Sequence, residues 1–176
     1  MKEKRRPWVS PVLVAIGAAV VVLDQIAKYA TVQYFADKDP SYALEILGPW
    51  LRYIYVENRG AAFGLLQGQL PLFVLTAIIV VPAVFYFYRS LTDEPWYVRF
   101  SLGLLLGGTL GNFVDRVRQG YVVDFLDMGI GSTRWPTYNV ADASFVVGTV
   151  VLGLYVIFLQ SESPQERQTG DATPRN

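Results

Sequence analysis

The sequence predicts an all-α integral membrane protein. It has four transmembrane helices and a small extracytoplasmic β-sheet or hairpin in the first outer loop. Three observations carry this reading. Hydrophobic residues make up 52% of the 176 positions and cluster in long runs. Four of those runs reach the ~17–25 residues that a helix needs to cross the hydrocarbon core. The polar clusters sit between the runs and at their ends, leaving the middle of each nearly free of charge.

The first run, "WVSPVLVAIGAAVVVLDQIAKYA", covers residues 8–30. The preceding "KEKRR" also fits a cleavable signal peptide. Against that, the run exceeds an ordinary signal h-region, and Asp24 and Lys28 stand where a small-residue cleavage site belongs. The second run covers 70–88 and contains Pro82, which a membrane helix tolerates. The third covers 96–114, and the small residues of "GLLLGGTLG" allow close packing on a neighbour. The fourth covers 143–159. Together, residues 1–160 read as one four-helix domain, and the polar tail 161–176 reads as disordered and cytoplasmic. Between the first two runs, "EILGPWLRYIYVEN" pairs a Gly-Pro turn with aromatic and β-branched residues, a hairpin signal.

Lys2, Lys4, Arg5 and Arg6 precede the first run, which orients the N-terminus to the cytoplasm. Four crossings return the C-terminus to the same side. Segments 1–10, 89–99 and 161–176 then carry eight Lys/Arg, against seven in the larger segments 28–69 and 115–142.

Composition excludes several chemistries. Cys and His are both absent. That removes disulfides, thiol nucleophiles, Ser-His and Cys-His triads, and the usual zinc sites. No metal and no other cofactor is expected. The zero net charge gives no global field for nucleic acid. Carboxylates, Ser with Lys, and Tyr remain as reactive groups.

Five polar clusters fall on the outer face at about one depth: "DQIAK" (24–28), "ENRGAAFG" (57–64), "GNFVDR" (111–116), "VVDF" (122–125) and "YNVAD" (138–142). Ionisable groups at membrane depth point to function. Each cluster also has a structural explanation. Asp24 and Lys28 are one helical turn apart and can form an ion pair. Asn112 and Arg116 are likewise one turn apart, and Arg116 can snorkel or hold phosphate headgroups. Asn139, three residues before Asp142, can cap a helix. Gly60 and Gly64 can shape a turn. Asp115 and Asp127 read locally as solvated loop charges. Asp124, between two valines and a phenylalanine, is the least explained, because a desolvated acid needs a partner.

Two close carboxylates share a proton near neutral pH. The ionised one activates water, and the protonated one hydrogen-bonds the carbonyl oxygen under attack. This aspartic peptide hydrolysis needs no His, Cys or metal. Asp124 and Asp142 are the favoured pair, although 18 positions separate them.

With "DQIAK", "NRGAAFG", "GNFVDR", "GYVVDF" and "YNVAD" in order on four spans, the chain resembles lipoprotein signal peptidase (signal peptidase II), a bacterial membrane aspartic protease family. The resemblance covers about residues 8–160, and Tyr138 stands where Phe is common. It implies a bacterial inner-membrane endopeptidase that cuts diacylglyceryl-modified prolipoproteins just before the lipidated Cys. It also implies Asp124 and Asp142 as the catalytic pair. Asn112, Arg116 and Asn139 line the site, and Asp24, Lys28, Asn58, Gly60 and Asp115 support it. The expected partners are lipidated precursors and membrane lipids, with the enzyme a monomer.

Three other readings use the same residues. A Ser/Lys signal peptidase would take Lys28 as base, but the nearest serine, Ser144, lies outside the clusters. A proton-coupled transporter would need polar groups through the full bilayer depth. A non-enzymatic assembly factor would use the charges for helix packing.

Overall fold

The computed structural model describes residues 10–60, 70–90 and 95–159. The N-terminal basic cluster, residues 61–64 of the "NRGAAFG" motif and the tail 161–176 lie outside the described residues. Four long helices form: α1 (Pro11–Phe35), α2 (Leu70–Ser90), α3 (Trp96–Gln119) and α4 (Val140–Leu154), the last continued by a π-helical turn, Tyr155–Leu159. Pro11–Phe35, Pro71–Ser90 and Val140–Phe158 are each long and apolar enough to cross a membrane. Large apolar side chains such as Leu23, Ile26, Ile78, Ile79 and Val146 face outward from them. A lipid phase would cover such faces.

α3 is the central helix and packs against the other three. Its glycines permit this. A Cβ on Gly107 would lie 2.5 Å from Val20 Cβ and 2.7 Å from the Gly17 carbonyl of α1. One on Gly108 would lie 2.5 Å from the Ala141 carbonyl of α4. An apolar core of Leu13, Val84, Tyr88, Val98, Leu102, Leu105 and Leu106 joins α1, α2 and α3.

The helices run further than the apolar runs. α1 continues to Phe35 rather than residue 30, and α3 to Gln119 rather than residue 114. Hydrophobicity ends where polar groups begin, but a helix ends where its hydrogen bonding ends. At α3 that is Gly120, whose φ of 81° reverses the chain while its N–H bonds the Arg116 carbonyl at 3.0 Å.

The sheet also differs from the expected first-loop hairpin. It has four antiparallel strands in the order β1 (Leu44–Glu45), β2 (Leu51–Asn58), β3 (Val122–Ile130), β4 (Thr133–Arg134). The first two come from the connection between α1 and α2 and the last two from the connection between α3 and α4. Among the described residues of its own loop β2 pairs only with the two-residue β1, and it finds a long partner in β3, with Val56 opposite Asp124. The sheet docks on the end of α1 through aromatic contacts. Tyr53 packs on Phe35 and Phe125 with ring centroids 5.2 and 6.0 Å away, and its hydroxyl donates to Thr31 Oγ1 at 2.8 Å.

This packing sets a test of sign. Ala normally favours a helix over Gly by about 1 kcal/mol. Gly107→Ala is expected instead to destabilise by about 1–3 kcal/mol through overpacking, read by thermal unfolding in detergent. A stabilised variant would show that α1 and α3 are not in close contact.

Candidate active site

The site is assembled outward from Lys28. Its ammonium has three N–H donors and three acceptors: Asp24 Oδ2 at 2.7 Å, Asp115 Oδ2 at 2.8 Å and Asn112 Oδ1 at 3.0 Å. Lys28, Asp24 and Asp115 are all buried. Asp24 Oδ1 accepts the Ala141 N–H at 2.9 Å, an otherwise orphaned donor in the first turn of α4. Gln25 Nε2 donates to Asp115 Oδ1 at 2.8 Å. One buried cation thus joins α1 to α3, and its carboxylate partner reaches the start of α4.

The network orients the amides around Asp124 and Asp142. Asn112 Oδ1 faces Lys28, so its Nδ2 points to Asp142 Oδ1, 2.7 Å away. Asn139 Oδ1 accepts the Asp142 N–H at 2.9 Å, which turns Asn139 Nδ2 to Asp124 Oδ1 at 2.6 Å. Asp142 Oδ2 accepts the Asn139 N–H at 3.2 Å and closes a capping box. Asn58 Oδ1 accepts the Gly60 N–H at 2.9 Å, leaving its Nδ2 on Asp124 Oδ2 at 2.8 Å. All four carboxylate oxygens therefore receive an N–H donor. Asn139 touches both acids, which links β3 to α4 across the 18 positions between them.

The two acids have different exposure. Asp124 is fully buried, whereas Asp142 is partly exposed and lines a cavity of ≈ 850 Å³. The cavity is floored by Gly108 and Asn112 and walled by apolar residues of α2 and α4, such as Phe73, Val80 and Phe145. Arg116 lines it too. Its Nη2 donates to the Gly60 carbonyl at 3.2 Å, and its guanidinium stacks on Phe73 at 4.2 Å. Burial, with the nearby charge of Asp142, pushes the Asp124 carboxyl up to about 7 against the donors from Asn58 and Asn139.

The structure brings together every residue expected at the site: Asp24, Lys28, Asn58, Gly60, Asn112, Asp115, Arg116, Asp124, Asn139 and Asp142. Asp115 and Asp127 are not solvated loop charges. Asp115 belongs to the Lys28 network. Asp127 is buried and paired with Arg52 and with Arg134 Nε, the latter at 2.9 Å. Burial alone would raise its carboxyl, but these two guanidiniums hold it below the usual carboxylate range. Gln25, Arg52 and Arg134 escaped the sequence reading. Gln25 sits inside "DQIAK", where its neighbours gave a signal. The arginines lie just outside the polar motifs, and no short-range helical or strand spacing ties either to Asp127.

A family profile described as signal peptidase (SPase) II matches residues 16–158. The chain belongs to the signal peptidase II family. A lipoprotein signal peptidase of Moorella thermoacetica is 39% identical over 151 residues, 86% of this chain and 96% of the relative. One from Geobacillus kaustophilus is 41% identical over 143 residues, 81% of this chain and 91% of the relative. Two solved structures, each described as a bacterial membrane enzyme, align with a TM-score of 0.71. One is 29% identical and covers 93% of this chain and 94% of its own. The other is 32% identical and covers 83% and 92%. The chain is a peptidase of this family, and the buried acids fit an aspartic mechanism.

Raising the Asp124 carboxyl has a consequence for this peptidase's stability. Between the ordinary aspartate value of 3.8 and about 7 the folded state holds a proton that the unfolded state has lost. Its contribution is complete below about 4 and disappears as pH rises through about 7. Chemical unfolding in detergent should show wild-type stability falling over that window relative to Asp124→Asn. Parallel pH profiles for the two proteins would place Asp124 in an ordinary solvated environment.

Proposed function

We propose that this signal peptidase is a membrane aspartic endopeptidase in which Asp124 and Asp142 form the catalytic pair. It removes the signal peptide from diacylglyceryl-modified prolipoproteins, cutting just before the lipidated Cys. The observation that carries the reading is the Asn139 bridge, which holds two acids from separate elements beside a cavity with apolar walls. The ionised acid takes a proton from a water molecule, and the resulting hydroxide forms a C–O bond at the scissile carbonyl. The protonated acid hydrogen-bonds the carbonyl oxygen as charge develops there. The tetrahedral intermediate then collapses, the C–N bond breaks and the leaving amine takes a proton from the acid that received it. Arg116, Asn112 and Asn139 hold substrate backbone, and Asp24, Lys28, Asn58, Gly60 and Asp115 keep the acids in place.

The chain works as a single four-helix domain over residues 1–160 in the bacterial inner membrane. α3 serves as the fourth span. Its 24 residues give about 36 Å of helix, and the other three helices shield its glycines and polar groups. Both termini are cytoplasmic, the site lies near the outer face, and the enzyme is a monomer working on lipidated precursors among membrane lipids. Reporter fusions after residues 40 or 130 should report the outer side, and those after 92 or 165 the inner side. An inner signal at 130 would separate the five clusters and remove the site.

Cleavage of a lipidated precursor tests the mechanism. Asp124→Asn and Asp142→Asn keep shape and hydrogen bonding but cannot cycle a proton. Each alone is expected to lower kcat by at least about 10³-fold, with the double variant little worse, because groups acting as a unit are non-additive. Near-normal cleavage by Asp142→Asn, combined with unfolding of Asp142→Ala, would make Asp142 only a helix cap. EDTA should leave cleavage intact, since the proposed mechanism uses no metal and the chain has neither His nor Cys. Loss on chelation, restored by a divalent ion, would reassign the acids as ligands.

A further inference from the structure

Tyr138 is held at its backbone by hydrogen bonds and lines the cavity. Its N–H donates to the Leu126 carbonyl at 3.0 Å, and its own carbonyl accepts from Phe125 N at 3.1 Å and Leu126 N at 2.9 Å. These bonds fix it against β3, one residue before Asn139. The side chain is half-buried and lines the cavity together with Met128 and Asp142. Its hydroxyl donates to Met128 Sδ. A thioether is a weak acceptor, so this is a poor resting place for an O–H in a partly desolvated wall. Burial pushes the phenol above its ordinary value, which keeps it a donor throughout the physiological range.

We propose that Tyr138 is a substrate-binding residue: its O–H leaves Met128 Sδ and donates to a carbonyl oxygen of the precursor occupying the cavity. The inference rests on the function proposed above and adds a contact to it. A carbonyl is a far better acceptor than a thioether, so the exchange favours the loaded cavity. Met128, unbranched and polarisable, can repack against apolar parts of the same substrate. Such a precursor carries two classes of carbonyl, the peptide backbone near the cleavage point and the acyl esters on the modified Cys. Both present the same acceptor.

Full-length wild-type enzyme and Tyr138→Phe are compared on two synthetic precursor peptides. One carries diacylglycerol and the other its dialkyl ether analogue, which lacks the ester carbonyls. Phe keeps the ring and its packing, and equal unfolding temperatures verify the fold. On the diacyl substrate the variant should show a KM raised by about 2- to 10-fold with kcat nearly unchanged, the range for one neutral hydrogen bond. If the increase persists on the ether substrate, the acceptor is a peptide carbonyl. If it disappears there, the acceptor is an ester. An unchanged KM on both substrates overturns the proposal. A binding arm is independent of chemistry: Asp124→Asn enzyme, with and without Tyr138→Phe, is titrated with uncleaved diacyl precursor. The same weakening of Kd is expected, and equal affinities overturn the proposal. Wild-type enzyme that binds but never cleaves would defeat the mechanistic reading while leaving this contact intact.

Discussion

The structure depends on one buried cation satisfied on all three of its N–H groups. Lys28 lies among Asp24, Asp115 and Asn112. Burying an ammonium costs several kcal/mol unless partners replace its water. Here two carboxylates and an amide oxygen do so. The two carboxylates leave an excess negative charge, which further donors offset: Gln25 Nε2 on Asp115 and the Ala141 N–H on Asp24. The start of α4 also places its positive dipole end beside Asp24. Removing one member would strand the rest without water, so the network holds as a set.

Its product is geometric as well as energetic. Lys28 determines which end of Asn112 faces Asp142. The Asp142 N–H determines which end of Asn139 faces Asp124, and the Gly60 N–H does the same for Asn58. A side-chain amide turned the wrong way would present oxygen to a carboxylate. Each amide here is held the right way by a donor on its oxygen. The acids are thereby drawn together on hydrogen-bond donors while burial resists their charge. That balance leaves Asp124 titrating near neutrality, where an acid can both accept and return a proton.

Much of this was legible in the sequence where interactions are local. The apolar runs located the helices, and the Asp24–Lys28 spacing matched a helical ion pair. The Asn139–Asp142 spacing matched a capping box. Legibility failed where partners are distant. Arg52 meets Asp127 across 75 positions, and no spacing rule reaches that far. The sheet was assigned to one loop because β2 has a recognisable strand pattern, but its main partner β3 arrives two helices later. The "VVDF" strand showed that Asp124 needed partners. It could not show that they would be Asn58 and Asn139, since only the β2–β3 register and the start of α4 deliver them.

The central claim is that the amide frame holds two carboxylates with one proton between them near neutral pH. Infrared spectroscopy of the detergent-solubilised enzyme reads this directly through the C=O stretch of a protonated carboxyl. The account expects one such band that bleaches as pH rises through about 7, is absent from Asp124→Asn, and in Asp142→Asn persists but bleaches at lower pH, because burial remains while the neighbouring charge is gone. A wild-type spectrum showing both acids already ionised at pH 5 would contradict it.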